Sequence, residues 1–417
     1  MTETITIEPT TVERYIMELA RFGAHGETGV WRPVYGEAWF DAQRQVEQWM
    51  QDAGMTTRWD AVGNVWGRIE GSNDGPNQGV ILTGSHIDSQ LPGGRYDGAL
   101  GVLSGILAAG ELVNQFGQPD RTIEVVSFCE EESSRFPTAH HWGSRAVAGA
   151  IEPEDLESVI SYDGEKIGDV MREAGFDLEA IPEVKRDDID IFIELHIEQG
   201  PILEQADIPV AVVTGITGIR HYHIELRGRA DHAGARPMDT RRDPMAAAAE
   251  IISTTIDTAH RMGRPAVTTV GRMSVEPNGA AIVPGQVNFS IDARHPDPET
   301  RALLYARHEA TIRAVCERRE IDYSWTLGAE QPPRISDPEL VETFVAAANE
   351  QGINHTTMPS GAVHDANRMA GFTRMVMLFV QSKDGRSHTP DEFTYPDHAA
   401  KGVELLAAGL HRLAYTS

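Results

Sequence analysis

The chain has 417 residues, 41% hydrophobic and 24% charged, a globular composition too long for one ordinary core, so two domains are expected. Its 63 acidic residues against 36 basic ones give a net charge of −27, which argues against nucleic acid and anionic membrane as partners, since both need a basic footprint. An anionic substrate is compatible with that charge only where a few arginines reverse the field locally.

Cys129 and Cys316 make neither a CxxC pair nor a disulfide framework, so a reducing cytoplasm is the expected compartment. The opening MTETITIEPTTVERYIMELA has no basic n-region and no apolar h-region, and no signal peptide is expected. In chain order, EAWFDAQRQVEQWMQDAG (37–54) predicts an amphipathic helix ending at Gly54. TTRWDA, NVWGRIE and GVILTGS (79–85) predict strands. GALGVLSGILAAGELV (98–113) is short, Gly-rich and interrupted by Glu111, which predicts a buried helix rather than a membrane span. TIEVVSF (122–128), IDIFIELH (189–196) and RMVMLFV (374–380) predict further strands, and 398–414 a terminal helix. This alternation predicts an α/β catalytic domain with a mainly parallel sheet, formed by 1–214 and 328–417.

Residues 215–327 read differently. Strand 221–228, helix 243–262, strand 266–275, strand 286–294, helix 297–319 and strand 321–327 follow the β-α-β-β-α-β order of a ferredoxin-like unit. Asp243-Pro244 and Asp297-Pro298 predict N-caps with proline in the first helical position. An inserted lid or dimerisation domain is expected.

The stretch FCEEESSRF (128–136) puts Glu130, Glu131 and Glu132 together where a buried strand ends. Two like charges 4 Å apart repel by about 4 kcal/mol at an effective dielectric near 20, so something must neutralise them. Other apolar strands also run into ligand-type residues: GVILTGSHIDS into His86 and Asp88, IDIFIELHIEQG into His196, and RMVMLFV into a loop carrying His388. Asp97 lies on a Gly-rich turn before a helix. Singly, each fits an ordinary strand end or a solvated turn. Together His86, Asp97, the glutamates, His196 and His388 are the donor types that hold two divalent cations, and cations would relieve the repulsion. Asp88, two residues after His86, suits a partner that fixes the imidazole tautomer.

HIDS and YDGALG (within 86–101), EEESSRF, ELHIEQGPILE, ADHAGARPMDTRRDP and DGRSHTPDEF occur in order along most of the chain. In these motifs the sequence resembles the co-catalytic metallopeptidase and aminoacylase family, in its amidase/hydantoinase/carbamoylase branch. That branch includes N-carbamoyl-L-amino-acid hydrolases, allantoate amidohydrolases and β-ureidopropionases. The resemblance implies two metal ions (zinc, or manganese, cobalt or nickel) on His86, Asp97, Glu132, His196 and His388, with Asp97 bridging. It implies Glu131 as general base, accepting a proton from water and passing it to the leaving nitrogen. His232 would reach a neighbouring active site across a homodimer built on 215–327 and steady the oxyanion. Gln199 and Arg294 would bind the substrate, Arg294 clamping its carboxylate, or else merely pairing with an acidic neighbour. His364 lies in a loop that the family places near the substrate, whereas His221 and His223 share a strand face and suit a structural role.

Two departures stand out. Ser133 replaces a family glycine, so a positive φ there would carry strain. Ala281 stands where the family has a substrate-binding asparagine, and Asn278 is three residues too early to replace it. The reading that follows is hydrolysis of an N-carbamoyl amino acid, a small anionic ureido substrate. Allantoate or another ureido acid is the alternative within that chemistry. An N-acyl amino-acid deacylase or dipeptidase is a second enzyme class, and a non-catalytic binding protein a third reading, which the full ligand set and Glu131 disfavour.

Overall fold

The computed structural model describes residues 4–73 and 79–415. The chain divides into two compact units. Met1–Thr214, Ser336–Met358 and Val363–Ser417 form the first, and Gly215–Ile335 with Pro359–Ala362 the second.

The first unit is built on β1 (Thr56–Trp59), β2 (Val65–Ile69), β3 (Val80–His86), β4 (Ile123–Phe128), β5 (Ile189–Ile197), β6 (Val210–Ile216) and β7 (Arg374–Val380), in the spatial order β6-β7-β5-β3-β4-β2-β1. β7, β5, β3 and β4 are parallel neighbours. The flanks are antiparallel: β2 on β4, β1 on β2, and β6 on β7. The sheet is therefore mixed, which corrects the expectation of a mainly parallel one. The five-residue link 60–64 is too short for a helical crossover, so β1 and β2 return antiparallel. β3 and β4 are buried along their whole length, as strands covered on both faces must be.

The helix Ala99–Phe116 lies on this sheet. It is the one stretch among the described residues with the length and hydropathy of a membrane span, yet 67% of it is buried inside the fold. Its glycines explain how closely it packs: a Cβ on Gly101 would stand 2.3 Å from the Leu195 carbonyl oxygen. Cys129 and Cys316 are buried free thiols.

In the second unit the chain runs Gly218–Arg227 (strand), Pro244–Met262 (helix), Val267–Thr269 and Met273–Glu276 (strands), Gln286–His295 (strand), Pro298–Arg319 (helix) and Asp322–Gln331 (strand). Gln286–His295 is central, pairing antiparallel with Gly218–Arg227, Val267–Thr269 and Met273–Glu276. The expected strand 266–275 is thus two short ones meeting the same partner. The last strand runs past 327 to Gln331, and the unit to Ile335. Asp243 and Asp297 cap their helices through their carboxylates, with Pro244 and Pro298 in the first turn. The core between sheet and helices includes Tyr222, Leu226, Ile251, Phe289, Leu304 and Ile312.

Candidate metal centre

In open α/β sheets, ligands gather beyond the carboxyl ends of parallel strands where the strand order reverses. β3 is such a point, with its successor β4 on one side and β5 on the other. His86 ends β3, Glu130–Glu132 follow β4, His196 is near the end of β5, and His388 lies in the loop after β7. Asp97 sits between β3 and the helix Ala99–Phe116.

Asp97 is the centre of the arrangement. Its Oδ1 is 3.1 Å from His196 Nε2 and 3.7 Å from His86 Nε2, while its Oδ2 is 3.5 Å from His388 Nε2. His388 Nε2 is also 3.5 Å from Glu132 Oε2. Among the described residues three groups of potential ligand atoms result: His86–Asp97–His196 and Asp97–Glu132–His388, which share Asp97, and Glu194–His196–His364. The far nitrogens of two imidazoles are tied to backbone carbonyls: His86 Nδ1 to Asp88 O at 3.1 Å and His196 Nδ1 to Ile197 O at 3.0 Å. Each Nε2 is thereby aimed at Asp97, a usual device for orienting metal-binding histidines. Gly98 makes room for this. Its φ is +64°, and a Cβ there would stand 2.4 Å from the His86 ring.

Asp88 does more than the sequence suggested. Its carbonyl anchors His86, while its carboxylate accepts the amides of Glu131 (3.3 Å) and Glu132 (3.1 Å), holding the glutamate turn against β3. Glu130 turns away from the cluster and accepts the amides of Arg135 (3.2 Å) and Phe136 (2.7 Å). Glu132 faces His388 and accepts from Gln90 Nε2 at 2.8 Å. Glu131 points Oε2 at His86 Nε2 (3.6 Å) and Oε1 at His141 Nε2 (3.3 Å). Three adjacent glutamates therefore face three different sets of partners. Ser133 has φ +51°, the left-handed conformation in which a side chain is strained, and its hydroxyl accepts the His140 amide at 3.1 Å.

The electrostatics fit cations. Burial would raise the Asp97 pKa, but the imidazoles of His196, His388 and His86 outweigh it and hold Asp97 well below the usual carboxylate range. Burial and the charges of Asp97 and Glu131 push Glu132 well up. His196, despite burial, is raised to about 9 by Asp97 and Glu194, and His86 is raised well up by Glu131, Asp88 and Glu132. Without cations, the carboxylates draw protons onto His86 and His196. Metal ions would supply the same positive charge to the same nitrogen and oxygen atoms, so the donor set fits divalent metals.

Gln199 Nε2 donates to Asp97 Oδ2 at 2.8 Å, and its buried Oε1 has no hydrogen-bond partner among the described residues. His364 is 1% exposed, its ring edge-on to His196 at 4.5 Å, with burial and His196 holding it neutral. It forms part of the wall, together with Glu194, which accepts from Ser85 Oγ and the Ala366 amide.

In the second unit, His232 is exposed, and its Nδ1 accepts from the amides of Gly234 (3.0 Å) and Ala235 (3.1 Å). That fixes a neutral imidazole as the Nε2–H tautomer, a ready donor. Ala281 adjoins it: Asp231–His232 pairs with Ile282–Val283, and the Ala281 carbonyl accepts the Ala233 amide. Asn278 sits in the turn before, at φ +58°. Arg294 grips Asp292 through Nε and Nη2 (2.9 and 2.8 Å) and donates Nη1 to the Gly361 carbonyl. His221 contacts the same aspartate at 2.9 Å. The pairing with an acidic neighbour is thus present, and the guanidinium enters any further contact already oriented.

Sequence reasoning missed Gln90, His141, Ser387 and Glu392. Glu392 accepts the amides of Tyr96 (2.9 Å) and Asp97 (3.0 Å), and Ser387 Oγ lies between Asp97 Oδ2 (2.5 Å) and Glu392 Oε2 (3.0 Å). Glu392 follows His388 in the motif DGRSHTPDEF, the one signal that could have pointed to it.

With this geometry in view, comparison with known proteins is direct. Residues 82–412 match the peptidase family M20/M25/M40. The chain belongs to that family. It is 38% identical to the allantoate amidohydrolase of Escherichia coli (strain K12), over 97% of this chain and 98% of the relative. It is 37% identical to the N-carbamoyl-L-amino acid amidohydrolase of Geobacillus stearothermophilus, over 96% and 97%. Among solved structures, an amidase of the hydantoinase/carbamoylase family from Burkholderia multivorans superposes with a TM-score of 0.91 at 31% identity, covering 98% of each chain. The family's divalent-metal chemistry agrees with the two ligand groups around Asp97.

Proposed function

We propose that the chain is a metal-dependent amidohydrolase that cleaves the linear C–N bond of an N-carbamoyl amino acid, giving the amino acid, ammonia and carbon dioxide. The observation that carries this reading is Asp97, whose two oxygens face two separate histidine–carboxylate groups beside a buried glutamate that belongs to neither. His86, Asp97 and His196 would hold one divalent ion, and Asp97, Glu132 and His388 the other. When bound, such ions supply Lewis acidity at the substrate carbonyl and neutralise the clustered carboxylates.

The other roles follow from the chain's own atoms. Glu131 is a carboxylate at neutral pH: burial raises its pKa, but the charge of His86 and a hydrogen bond from His141 outweigh it and hold it at about 2. Its Oε2, on the side of the ligand group, would take a proton from the attacking water and return it to the leaving nitrogen. Gln199 Oε1, buried and without a partner among the described residues, would accept a ureido N–H. His232 Nε2–H, supplied across a homodimer through residues 215–327, would donate to the oxyanion. Arg294 would meet the substrate carboxylate with the N–H groups left free by Asp292 and Gly361. A substrate contact from His364 would require the ring to leave its wall.

Relatives with allantoate and N-carbamoyl amino acid in their names match almost equally, so identity does not choose between these substrates. Ala281 does favour one. It removes a polar side chain next to His232, worth about 0.5–1.5 kcal/mol per hydrogen bond, and so favours a substrate less polar than allantoate. Protein loaded with Mn²⁺ or Zn²⁺ tests this, read as ammonia release from carbamoyl amino acids and allantoate and as amino-acid release from acyl amino acids. Carbamoyl amino acids should be fastest. Allantoate as best substrate would remove the argument from Ala281, and turnover of acyl amino acids alone would remove the ureido assignment.

A further inference from the structure

His141 belongs to no ligand group, yet it faces the oxygen of Glu131 that is turned away from His86. Its Nε2 is 3.3 Å from Glu131 Oε1, and the opposite oxygen, Oε2, is 3.6 Å from His86 Nε2. The imidazole is buried, with 10% of the side chain exposed, and its Nδ1 has no hydrogen-bond partner among the described residues. A neutral ring with its proton on Nε2 leaves a bare acceptor at Nδ1. An under-satisfied acceptor costs less than an orphaned N–H, so burial favours the tautomer that donates to Glu131.

The backbone aims the ring at Glu131. His141 precedes the helix Trp142–Val147 in the capping position, where an extended Ser, Thr, Asp or Asn normally bonds the first-turn amides. Here φ is +61° and ψ +57°, the side chain makes no capping bond, and His140 before it is also left-handed at φ +51°. Two successive strained residues withhold the imidazole from capping and turn it towards the glutamates. The segment is pinned there: the Trp142 amide donates to the Glu130 carbonyl at 3.1 Å and the Gly143 amide to the Cys129 carbonyl at 2.8 Å. Gly143 permits the approach, since a Cβ on it would stand 2.2 Å from Asn64 Oδ1.

We propose that His141 is a positioning residue for Glu131. Its Nε2–H holds Oε1, so that Oε2 stays turned to the ligand group where water is deprotonated. The proposal rests on Glu131 being the general base. His141→Asn and His141→Gln separate positioning from packing. Asparagine accepts a left-handed backbone but is too short to reach Glu131, whereas the glutamine amide extends to about the place of Nε2. Both variants should retain wild-type metal content and melting temperature. His141→Asn should lose 10- to 100-fold in kcat with KM within about twofold, the scale of an ångström-level misplacement. His141→Gln should recover most of that loss, and neither change should add to Glu131→Gln. Rates are to be read on whichever carbamoyl, allantoate or acyl substrate the loaded wild type turns over fastest, so a wrong substrate leaves the comparison intact. Equal kcat for the Asn and Gln variants, or a loss in His141→Asn matched by lost metal or lowered melting, overturns the role of His141. Absence of wild-type turnover on every substrate overturns the general-base reading beneath it.

Discussion

Adjacent residues at a strand exit can serve opposite needs, and Glu131 and Glu132 do so. Both amides are held by Asp88, but Glu131 turns to His86 and His141 while Glu132 turns to His388 and Gln90. Glu131→Gln should therefore keep metal, as the amide leaves both ligand groups intact, and lose about 10²–10⁴-fold in turnover. Glu132→Gln should weaken metal binding first, with activity following occupancy. Metal analysis of both variants beside their rates checks this, and equal metal content with equal loss would refute the division of roles. The clustering of donor side chains was legible because most of them come at the ends of apolar strands, TIEVVSF before the glutamates and IDIFIEL before His196, with Asp97 marked by its Gly-rich turn. Glu392 and Gln90 were not legible. Glu392 bonds the backbone of residues some three hundred positions earlier, and nothing local in the chain marks that reach. His141 was not legible either, because the left-handed turn that aims it is not readable from residue type.

At the scale of elements, hydrophobic runs located the central strands, but their directions depend on connection lengths. The link 60–64 forces an antiparallel return, and the short path from β5 to β6 puts β6 antiparallel on β7, so the parallel core gains antiparallel edges. In the second unit the helix Pro298–Arg319 buries His308, whose Nε2 lies 2.9 Å from Thr268 Oγ1. Burial lowers its pKa from the ordinary 6.5 to about 4. Between those two values the unfolded chain binds a proton that the folded chain refuses, so stability from this residue is complete above pH 6.5. It is lost as pH falls towards 4. The loss is about 3 kcal/mol over that window, less where water reaches the ring. His308→Gln should remove this slope: the difference in urea midpoint between wild type and variant should shrink or reverse from pH 7 to pH 4.5. A difference constant with pH would mean that His308 does not stay neutral in the fold.

For the whole molecule, a net charge of −27 must coexist with an anionic substrate, and the arginine proposed to hold that substrate already shares its charge with Asp292. Burial would raise the Asp292 pKa, but His221 and Arg294 keep it ionised, so Arg294 contributes orientation together with a partly compensated charge. Arg294 serves the carboxylate, and the oxyanion needs a donor of its own. His232 has the right tautomer, is exposed, and lies in the unit expected to form the dimer. If it acts across that dimer, every active site needs both chains. His232→Ala and Glu131→Gln homodimers should each be nearly inactive, for different reasons. In a mixed dimer, one site would combine the intact Glu131 of the first variant with the intact His232 of the second, while the other site would carry both defects. Random exchange makes half of the dimers mixed, so about a quarter of wild-type activity should return, with the metal content of both variants unchanged. Subunit exchange can be followed with differently tagged chains. Exchange without recovery would mean that His232 serves the active site of its own chain or none.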